Sequence, residues 1–303
     1  MSKKKSGHIA IPFLATLFIG LIIIGGGAMI LMKYLNREEP LTEAPGKDVR
    51  TVTEEDDHTV LLMLSTPAQE CKSTFMLMRS MPKEKKLLFI GIPSNTIAIV
   101  DGKQQSLEGA FNEDGKGAKA AKFVESVFDI PVERYMTFDS DAFKRVCDMT
   151  GCVSSFPVDV QFGGFKGDGS RHNLSSDQIE TYATYSMFPG GESERAFKAA
   201  VLMQYMVNGA DARAVADHLE TNFDQIINHT GVFTNITRSD YNDVKYAIKY
   251  MFECKAEYSL TLTDVYQLNG KISGKDFIIN GSQIEELKKK LFFTGELNHD
   301  RDI

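Results

Sequence analysis

The hydrophobic pattern is most pronounced near the N-terminus, where residues 9–32 form an apolar run without a charged side chain. As an α-helix this run would extend roughly 36 Å, at about 1.5 Å per residue, which is enough to cross a hydrocarbon core about 30 Å thick. The pattern therefore predicts a transmembrane helix over residues 9–32, preceded by a short tail of residues 1–8.

Charged residues on the two flanks of this run predict its orientation. Lys3, Lys4 and Lys5 precede it, whereas residues 37–39 (REE) follow it, and positively charged flanks stay on the cytoplasmic side. We therefore expect a single-pass protein of the cell membrane with a cytoplasmic N-terminus and an extracytoplasmic main domain. A cleaved signal peptide is the competing interpretation, but its apolar region is about 7–15 residues long and ends at a small-residue cleavage site. Here the small residues 25–28 lead back into an apolar stretch.

A polar segment separates the apolar run from the predicted domain. Residues 33–57 contain two prolines and many charged side chains without hydrophobic periodicity, which is typical of a flexible stalk. We predict a folded domain over residues 58–293 and a polar tail over residues 294–303. Short apolar runs predict strands buried on both faces at residues 59–65, 74–79 and 86–92. The turn residues 82–85 favour a hairpin between the last two strands.

Apolar side chains at helical spacing predict the helices that follow. Residues 118–128, 140–149 and, as the longest stripe, 194–207 each place apolar residues on one face. Two capping signatures, Thr237 with Asp240 and Ser282 with Glu285, precede further apolar stripes. Additional strands are expected over residues 134–138 and 153–160. This mixture predicts a layered α/β sandwich with a central mixed β-sheet and helices on both faces, preceded by one transmembrane helix.

Composition and charge restrict the classes of function. The 303 residues are 43% hydrophobic and 25% charged, proportions typical of globular proteins, which excludes collagen-like, coiled-coil and disordered classes. Residues 34–303 contain all 41 acidic residues but only 30 of the 34 lysines and arginines. Because an acidic domain repels a polyphosphate backbone, we expect no nucleic-acid partner.

The four cysteines are too few for a disulfide scaffold in an exported domain. Cys147 and Cys152 flank a predicted helix-to-strand turn and so could close a small loop, whereas buried thiols that act as small hydrophobic residues are the favoured interpretation. No cysteine has a zinc-ligand partner at the usual spacing, and the six histidines are scattered along the chain. We therefore predict no metal site from these residues.

Three further patterns have both a functional and a structural interpretation. Residues 115–117 (GKG) open a predicted helix and offer N–H groups to an anion, but they lack the spacing of a phosphate loop, so a solvated helix start is favoured. Glu108, Glu113 and Asp114 suit a hard cation, yet their spacing is not specific and a solvated acidic loop is favoured. Residues 163–169 are glycine-rich and favour a mobile hairpin loop after a strand.

Four short motifs carry a resemblance to a known family. Residues 72–77 (KSTFML) take the place of an R-S-D-T-M-like strand entry, and residues 91–96 (GIPSNT) take the place of S-I-P-R-D-T. Residues 128–132 (FDIPV) are similar to G-I-P-I-D, and residues 234–236 (TNI) precede a capped helix as a T-N-L segment does. In their order and spacing the motifs resemble the LytR-CpsA-Psr family of cell-envelope proteins, from about Val60 to Phe293.

The resemblance implies an extracytoplasmic α/β domain and a specific chemistry. Enzymes of this family transfer glycopolymers from a polyprenyl pyrophosphate carrier to peptidoglycan, with Mg²⁺ and a cluster of arginines. Pyrophosphate cleavage builds negative charge on the leaving oxygen, so guanidinium groups and a metal must face it in a dry pocket. The isoprenoid tail lies inside the sandwich in the family. The strand methionines suit such a slot, although core packing is the favoured interpretation for Met63, Met76, Met78 and Met81.

The chain departs from the family pattern at the site itself. The positions of the family's arginines and aspartates hold Cys71, Ser73, Ser94, Asn95, Thr184, Ser186 and Glu192. Of the cationic positions, Arg195 remains. A hydrogen bond to a charged group contributes about 1.5–3 kcal/mol, so the loss of several guanidinium groups costs many powers of ten in transition-state binding. Glu192 would add repulsion to a pyrophosphate.

These departures predict a degenerate, non-catalytic member of cell-envelope assembly that needs no cofactor. Its expected partners are the membrane, through the N-terminal helix, and a polyprenyl lipid, a cell-wall glycan or an envelope protein, with Arg195 as the ligand-binding residue. The alternative is an active phosphotransferase in which Arg195 binds phosphate and Glu108 or Asp114 supports Mg²⁺. A purely structural scaffold differs from the first interpretation in having no ligand.

Overall fold

A computed structural model describes residues 51–65 and 72–292 of the chain. The predicted transmembrane helix over residues 9–32 and the predicted tail over residues 294–303 lie outside the described residues, as does most of the predicted stalk. Within residues 51–65 and 72–292, no helix combines the length and the apolar composition that are needed to cross a membrane. The structure thus covers nearly all of the predicted domain.

The strands and helices follow one another along the domain after a 3₁₀ turn at Glu54–Asp56. The strands are β1 (His58–Leu64), β2 (Thr74–Met81), β3 (Lys86–Ile92), β4 (Ile97–Val100), β5 (Lys103–Ser106), β6 (Arg134–Phe138), β7 (Val153–Pro157), β8 (Arg171–Leu174), β9 (Val232–Thr234), β10 (Thr263–Tyr266), β11 (Gly270–Ser273) and β12 (Asp276–Ile279). The helices are α1 (Leu107–Asp114), α2 (Ala118–Phe128), α3 (Ser140–Thr150), α4 (Ser176–Thr184), α5 (Gly191–Gly209), α6 (Ala212–Asp217), α7 (Leu219–Ile227), α8 (Arg238–Tyr258) and α9 (Gly281–Phe292).

Six of these strands form the central sheet, in the order β10-β3-β2-β1-β6-β9. The pairs β1–β2, β2–β3 and β6–β9 are antiparallel, whereas β1–β6 and β10–β3 are parallel. The prediction of a mixed sheet is therefore confirmed. The pairs β4–β5, β7–β8 and β11–β12 form separate two-stranded ribbons.

Both faces of the central sheet are covered, because successive side chains of a strand point to opposite faces. Leu61 and Met63 of β1 belong to a core that includes residues of α1, α2 and α9. Leu64 of the same strand belongs to a second core, which includes residues of α3, α4, α5 and α8. The predicted layering, with helices on both faces, is confirmed. The buried strands β2 and β3 therefore present apolar side chains on both sides.

Most of the predicted elements coincide with observed ones. Residues 82–85 form the turn of the β2–β3 hairpin, and Thr237 and Asp240 form the predicted capping box of α8. One capping prediction is wrong: α9 begins at Gly281, so Ser282 lies inside its first turn. The carbonyl of Asn280 accepts the N–H groups of the third and fourth residues that follow it, a pairing that starts the helix before the serine.

Several of the predicted segments have different lengths in the structure; β2, for example, extends to Met81 instead of residue 79. Helix α5 runs from Gly191 to Gly209, three residues earlier than the predicted start at residue 194. Strand β7 ends at Pro157, where the ladder to β8 stops and the glycine-rich loop of residues 163–169 follows. The earlier start of α5 matters for the site, because it places residue 192 within the first helical turn.

The cysteines of the described residues are free thiols, as favoured from the sequence. Cys147 and Cys254 are buried, and Cys152 is half-buried. Burial raises the pKa of the Cys147 thiol to about 12, because the thiolate loses its hydration. Cys71 lies outside the described residues.

A partly buried ionic cluster lies where the chain enters β1. The Asp57 carboxylate accepts a hydrogen bond from the buried guanidinium of Arg79, with 3.3 Å between Nη2 and Oδ2. Burial raises the pKa of Asp57 to about 6; Arg79 and His58 oppose this rise, whereas Glu84 and Glu54 add to it. At neutral pH the folded protein therefore holds a carboxylate that would be more stable in water.

This cluster predicts a specific dependence of stability on pH. The pKa of Asp57 is higher in the folded than in the unfolded chain. Its favourable contribution to the free energy of unfolding is therefore present below about pH 4 and is lost as the pH rises through about 6. Asp57→Asn should therefore gain stability relative to the wild type between pH 4 and pH 6.5 in urea unfolding. Asp101→Asn should show no such gain in this pH range, because the Lys122 ammonium lowers the pKa of exposed Asp101 and any pH-dependent difference falls below about pH 4. Parallel pH profiles for the wild type and Asp57→Asn would contradict the prediction.

Candidate functional site

The predicted site residues converge at one end of the central sheet. Ser73 precedes β2, Ser94 and Asn95 follow β3, and Thr184 is the last residue of α4. The first turn of α5 contributes Glu192 and Arg195, and the first turn of α1 contributes Glu108. The carbonyl of Ser94 accepts the N–H of Glu108 at 2.9 Å, which fixes α1 against the end of β3.

Arg195 is the central residue of this site, and it is 1% exposed. Its Nε and Nη2 donate to the two carboxylate oxygens of Glu192, at 2.9 and 2.8 Å. Nη1 donates to the hydroxyl of Thr74 at 2.8 Å and to the carbonyl of Ala183 at 2.9 Å, and Nη2 also donates to the carbonyl of Ser73 at 2.9 Å. A guanidinium has five N–H donors. All five are used inside the protein.

Glu192 supplies the negative charge that compensates this buried guanidinium. One of its oxygens, Oε2, also accepts the hydroxyl hydrogen of Ser94 at 2.6 Å. Burial alone would raise the pKa of Glu192, but the hydrogen bonds and the charge of Arg195, together with Ser94, outweigh it and hold the pKa below its usual value. Glu192 is therefore ionised in the folded protein at neutral pH. In the family resemblance, Glu192 stands at a position where other members have an arginine.

A second carboxylate lies beside the ion pair. The hydroxyl of Ser73, at the family's aspartate position, donates to Oε1 of Glu108 at 2.8 Å. Oε2 of Glu108 is buried and has no hydrogen-bond partner within residues 51–65 and 72–292. The site thus combines one guanidinium with two carboxylates, which gives these three side chains a net negative charge.

The other predicted site residues that the structure describes do not contact the guanidinium of Arg195 in the hydrogen bonds they make. The hydroxyl of Thr184 donates to the carbonyl of Glu180 in its own helix at 2.9 Å, and the amide nitrogen of Asn95 donates to the carbonyl of Lys275 at 2.6 Å. Ser186 is half-buried, two residues after the end of α4. Cys71, another predicted site position, lies outside the described residues. None of these contacts supplies a cationic group.

An apolar cavity of about 40 Å³ adjoins the ion pair, inside the core that α3, α4 and α5 cover. Thr74 and Ala183 line it and also accept hydrogen bonds from Arg195. Met76 lines the cavity, and so does Met63, although Met63 and Met81 belong to the core on the other face of the sheet. A volume of this size holds about one or two water molecules. The cavity is therefore smaller than the slot that an isoprenoid tail would need.

The proposed anion site at the start of α2 is filled by Asp114. Its carboxylate accepts the N–H groups of Lys116, Gly117 and Lys119 at 2.8 to 2.9 Å. Burial opposes ionisation, but these N–H groups outweigh it and lower the pKa of Asp114. Asp114 is thus an internal cap of α2. The solvated acidic loop favoured from the sequence for Glu108, Glu113 and Asp114 is wrong, because these residues lie in α1. Asp114 lies six residues from Glu108, about 9 Å along α1, and does not join the ion pair.

The family resemblance implies Mg²⁺, whose ligand preferences can be compared with the oxygen atoms of this site. Mg²⁺ prefers near-octahedral oxygen ligands, commonly one or two carboxylates together with substrate phosphates. Here Ser73 stands at the aspartate position and donates its hydrogen to Glu108. Among the described side chains, no group of three or more His, Cys, Asp or Glu is close enough to hold a metal ion. These residues alone therefore do not complete the coordination of a Mg²⁺ ion, which would need further oxygen ligands from a substrate.

Sequence reasoning identified Arg195 and Glu192 but missed that they bind each other. The spacing of three residues was a usable signal, because side chains three apart on a helix are neighbours. The predicted helix start at residue 194 placed Glu192 outside the helix, so its pairing with Arg195 was missed. Thr74 and the carbonyls of Ser73 and Ala183 had no signal in the sequence, since their approach to Arg195 depends on how α4 and β2 meet.

The fold and the site define a layered α/β protein with a charged group at the end of an apolar cavity between the sheet and its helices. The chain belongs to the LytR_cpsA_psr family, whose sequence profile matches residues 38–292. The family resemblance deduced from the motifs is therefore confirmed.

Curated relatives and solved structures agree with this assignment. The chain is 24% identical over 158 residues to the polyisoprenyl-teichoic acid–peptidoglycan teichoic acid transferase TagV of Bacillus subtilis (strain 168), covering 47% of this chain and 39% of TagV. It is 24% identical over 208 residues to the transferase TagU of Bacillus mycoides, covering 62% of this chain and 67% of TagU. A crystal structure of a protein from Eubacterium siraeum superposes with a TM-score of 0.66 at 20% identity, covering 84% of this chain and 99% of that chain. This structural likeness establishes the fold.

Proposed function

We propose that this chain is a membrane-anchored, extracytoplasmic protein of cell-envelope assembly that carries out no phosphoryl transfer. Its family membership and its relatives, which are named as teichoic acid transferases, support the cell-envelope context. The uncharged run of residues 9–32 and the lysines before it support anchoring with the domain outside the cell. The site then acts as a binding module for a polyprenyl lipid, a glycan or an envelope protein.

The observation that carries this proposal is the saturated guanidinium of Arg195. It is 1% exposed, and all five of its N–H donors are used by Glu192, Thr74, Ser73 and Ala183. A pyrophosphate would reach this group only by displacing the Glu192 carboxylate. That carboxylate would then lie beside the anion, and two like charges 4 Å apart repel by about 4 kcal/mol at an effective dielectric constant near 20.

The second candidate function is an active phosphotransferase with a rebuilt site. One observation favours it: Oε2 of Glu108 is buried without a hydrogen-bond partner in the described residues, next to the ion pair. Hard cations prefer such carboxylate oxygens. In this case Glu108 would hold Mg²⁺ together with the substrate phosphates, and the metal would supply the positive charge that the missing arginines do not.

Binding of a short-chain polyprenyl pyrophosphate with and without Mg²⁺ separates the two functions. For the full chain in detergent, we expect no metal-dependent heat in titration calorimetry up to about 1 mM ligand, a limit that corresponds to roughly 4 kcal/mol of binding free energy. Micromolar, Mg²⁺-dependent binding that disappears in Arg195→Ala would overturn the proposal.

Arg195 is also part of the core, so Arg195→Ala can lose binding by unfolding. A second variant at Glu108 avoids this ambiguity. Under the alternative, Glu108→Gln should abolish the Mg²⁺ dependence and leave Arg195 in place. Glu113→Gln is the matched control, since Glu113 lies on the same helix and is half exposed. Metal-dependent binding that Glu108→Gln removes and Glu113→Gln retains would establish the transferase site.

A further inference from the structure

The C-terminal end of α3 brings two cysteines together. Gly151 follows the helix with a φ of 86°, and its N–H bonds to the carbonyl of Asp148. The N–H of Cys152 bonds to the carbonyl of Cys147 at 2.8 Å. These two hydrogen bonds form a Schellman motif, in which the residue after the glycine contacts the residue five positions before it. The two cysteines occupy these contacting positions.

The two cysteines lie close together in this turn. The 2.8 Å hydrogen bond between the Cys152 nitrogen and the Cys147 carbonyl oxygen brings their backbones into contact. Disulfides require about 4.4–6.8 Å between α-carbons. Both side chains also face the same core, since Cys147 belongs to it and Cys152 packs against it. The Cys152 thiol helps to raise the pKa of Cys147 through a direct charge interaction.

We propose that Cys147 and Cys152 form a reversible disulfide that joins the end of α3 to the start of β7. Cys152 is half-buried, whereas Cys147 is buried, so Cys152 reacts first with an external disulfide such as oxidised glutathione. Its thiolate attacks one sulfur of the reagent and releases one thiol. The Cys147 thiolate then attacks Sγ of Cys152 and releases the second thiol. Two protein thiols are oxidised, one external disulfide is reduced, and the two thiol protons leave with the released thiolates.

The bond would act on a turn with an unusual backbone conformation. Cys152 has a φ of 60°, in the left-handed region that non-glycine residues rarely adopt. It holds this conformation directly after Gly151, with its thiol turned back toward the helix. The bond would fix the last turn of α3, and Phe143, one turn earlier in this helix, lines the apolar cavity. The disulfide therefore makes one wall of the cavity more rigid.

Peptide mapping of the full chain tests this proposal. Trypsin cleavage after Arg145 and Lys166 places both cysteines in one peptide, residues 146–166. After incubation with oxidised glutathione, followed by alkylation without reduction, we expect this peptide to be about 2 Da lighter than its dithiol and free of alkyl groups. Dithiothreitol should restore double alkylation. Full alkylation of both cysteines in the denatured, unreduced sample, as expected for the thiol of Cys254, would overturn the proposal, as would a bond from either of them to Cys71.

Thermal unfolding supplies a second readout with matched variants. Oxidation should raise the melting temperature of the wild type by several degrees, because the closed loop restricts the unfolded chain. The increase should vanish in Cys152→Ser and persist in Cys254→Ala, which removes a buried thiol elsewhere. An equal increase in Cys152→Ser would mean that another group responds to the oxidant, and this result would also overturn the proposal.

Discussion

Arg195→Met is expected to lower the free energy of unfolding by about 3–5 kcal/mol, because it leaves Glu192 as an uncompensated charge in the core. The substitution removes all five hydrogen bonds of the guanidinium, including the bidentate pair to Glu192. For a domain of this size the loss corresponds to a drop in melting temperature of roughly 10 °C. Urea unfolding of the full chain measures it.

Two further variants show whether the ion pair is the cause. The double substitution Arg195→Met with Glu192→Leu should recover a large part of the loss, because a buried pair replaced by apolar residues of similar volume is often close to neutral. Arg213→Met is the control, since Arg213 is exposed, and it should change stability by less than about 0.5 kcal/mol. If Arg195→Met behaved like Arg213→Met, Arg195 would be a free ligand-binding residue and the saturated-site interpretation would be wrong.

Gly91→Ala should be comparably damaging, for a steric reason. A Cβ at Gly91 would lie 1.8 Å from the carbonyl oxygen of Ala196 and 2.4 Å from its carbonyl carbon. Both atoms belong to the backbone of α5, so no side chain can rotate away. The helix would have to move off the sheet and would carry the adjacent Arg195 with it. We expect a loss of about 3 kcal/mol or more, at the upper end of the range for overpacked cores, measured by urea unfolding.

Gly209→Ala is the matched control for this prediction. Gly209 ends the same helix, and an added Cβ would meet no atom within 4 Å. Alanine is a better helix former than glycine, so this substitution should be neutral or stabilise the protein by up to about 1 kcal/mol. Equal effects of the two substitutions would refute the close approach of α5 to β3.

The buried ion pair occupies guanidinium donors that a phosphate-binding site would need. Such a site keeps guanidinium donors available until the anion arrives. Here Glu192 supplies a permanent internal anion, and Ser94 holds it in place through its hydroxyl. Through its other hydrogen bonds the guanidinium also ties α5 to β2 and α4.

Much of the architecture could be predicted because it depends on local patterns. The observed bounds of β3, β6 and α2 are the predicted ones, since turn residues and apolar periodicity mark both ends of each element. The start of α5 was missed because Gly190 and Gly191 carry no capping side chain that would mark a helix start. The start of α9 was misplaced because Ser282 matched a capping signature. The helix starts one residue earlier, and the carbonyl of Asn280 accepts N–H groups of its first turn.

The sequence by itself determined the mixed α/β layering, the family and the depletion of arginines at the site, because alternation, helical periodicity and residue identity are properties of the chain alone. Only the tertiary structure decided what the remaining Arg195 does. Its partners Thr74, Ser73 and Ala183 lie more than ten residues away along the chain, and they meet it only where β2, α4 and α5 pack together. Burial then makes an unpaired charge costly, so the helix that carries the arginine also carries its counter-ion.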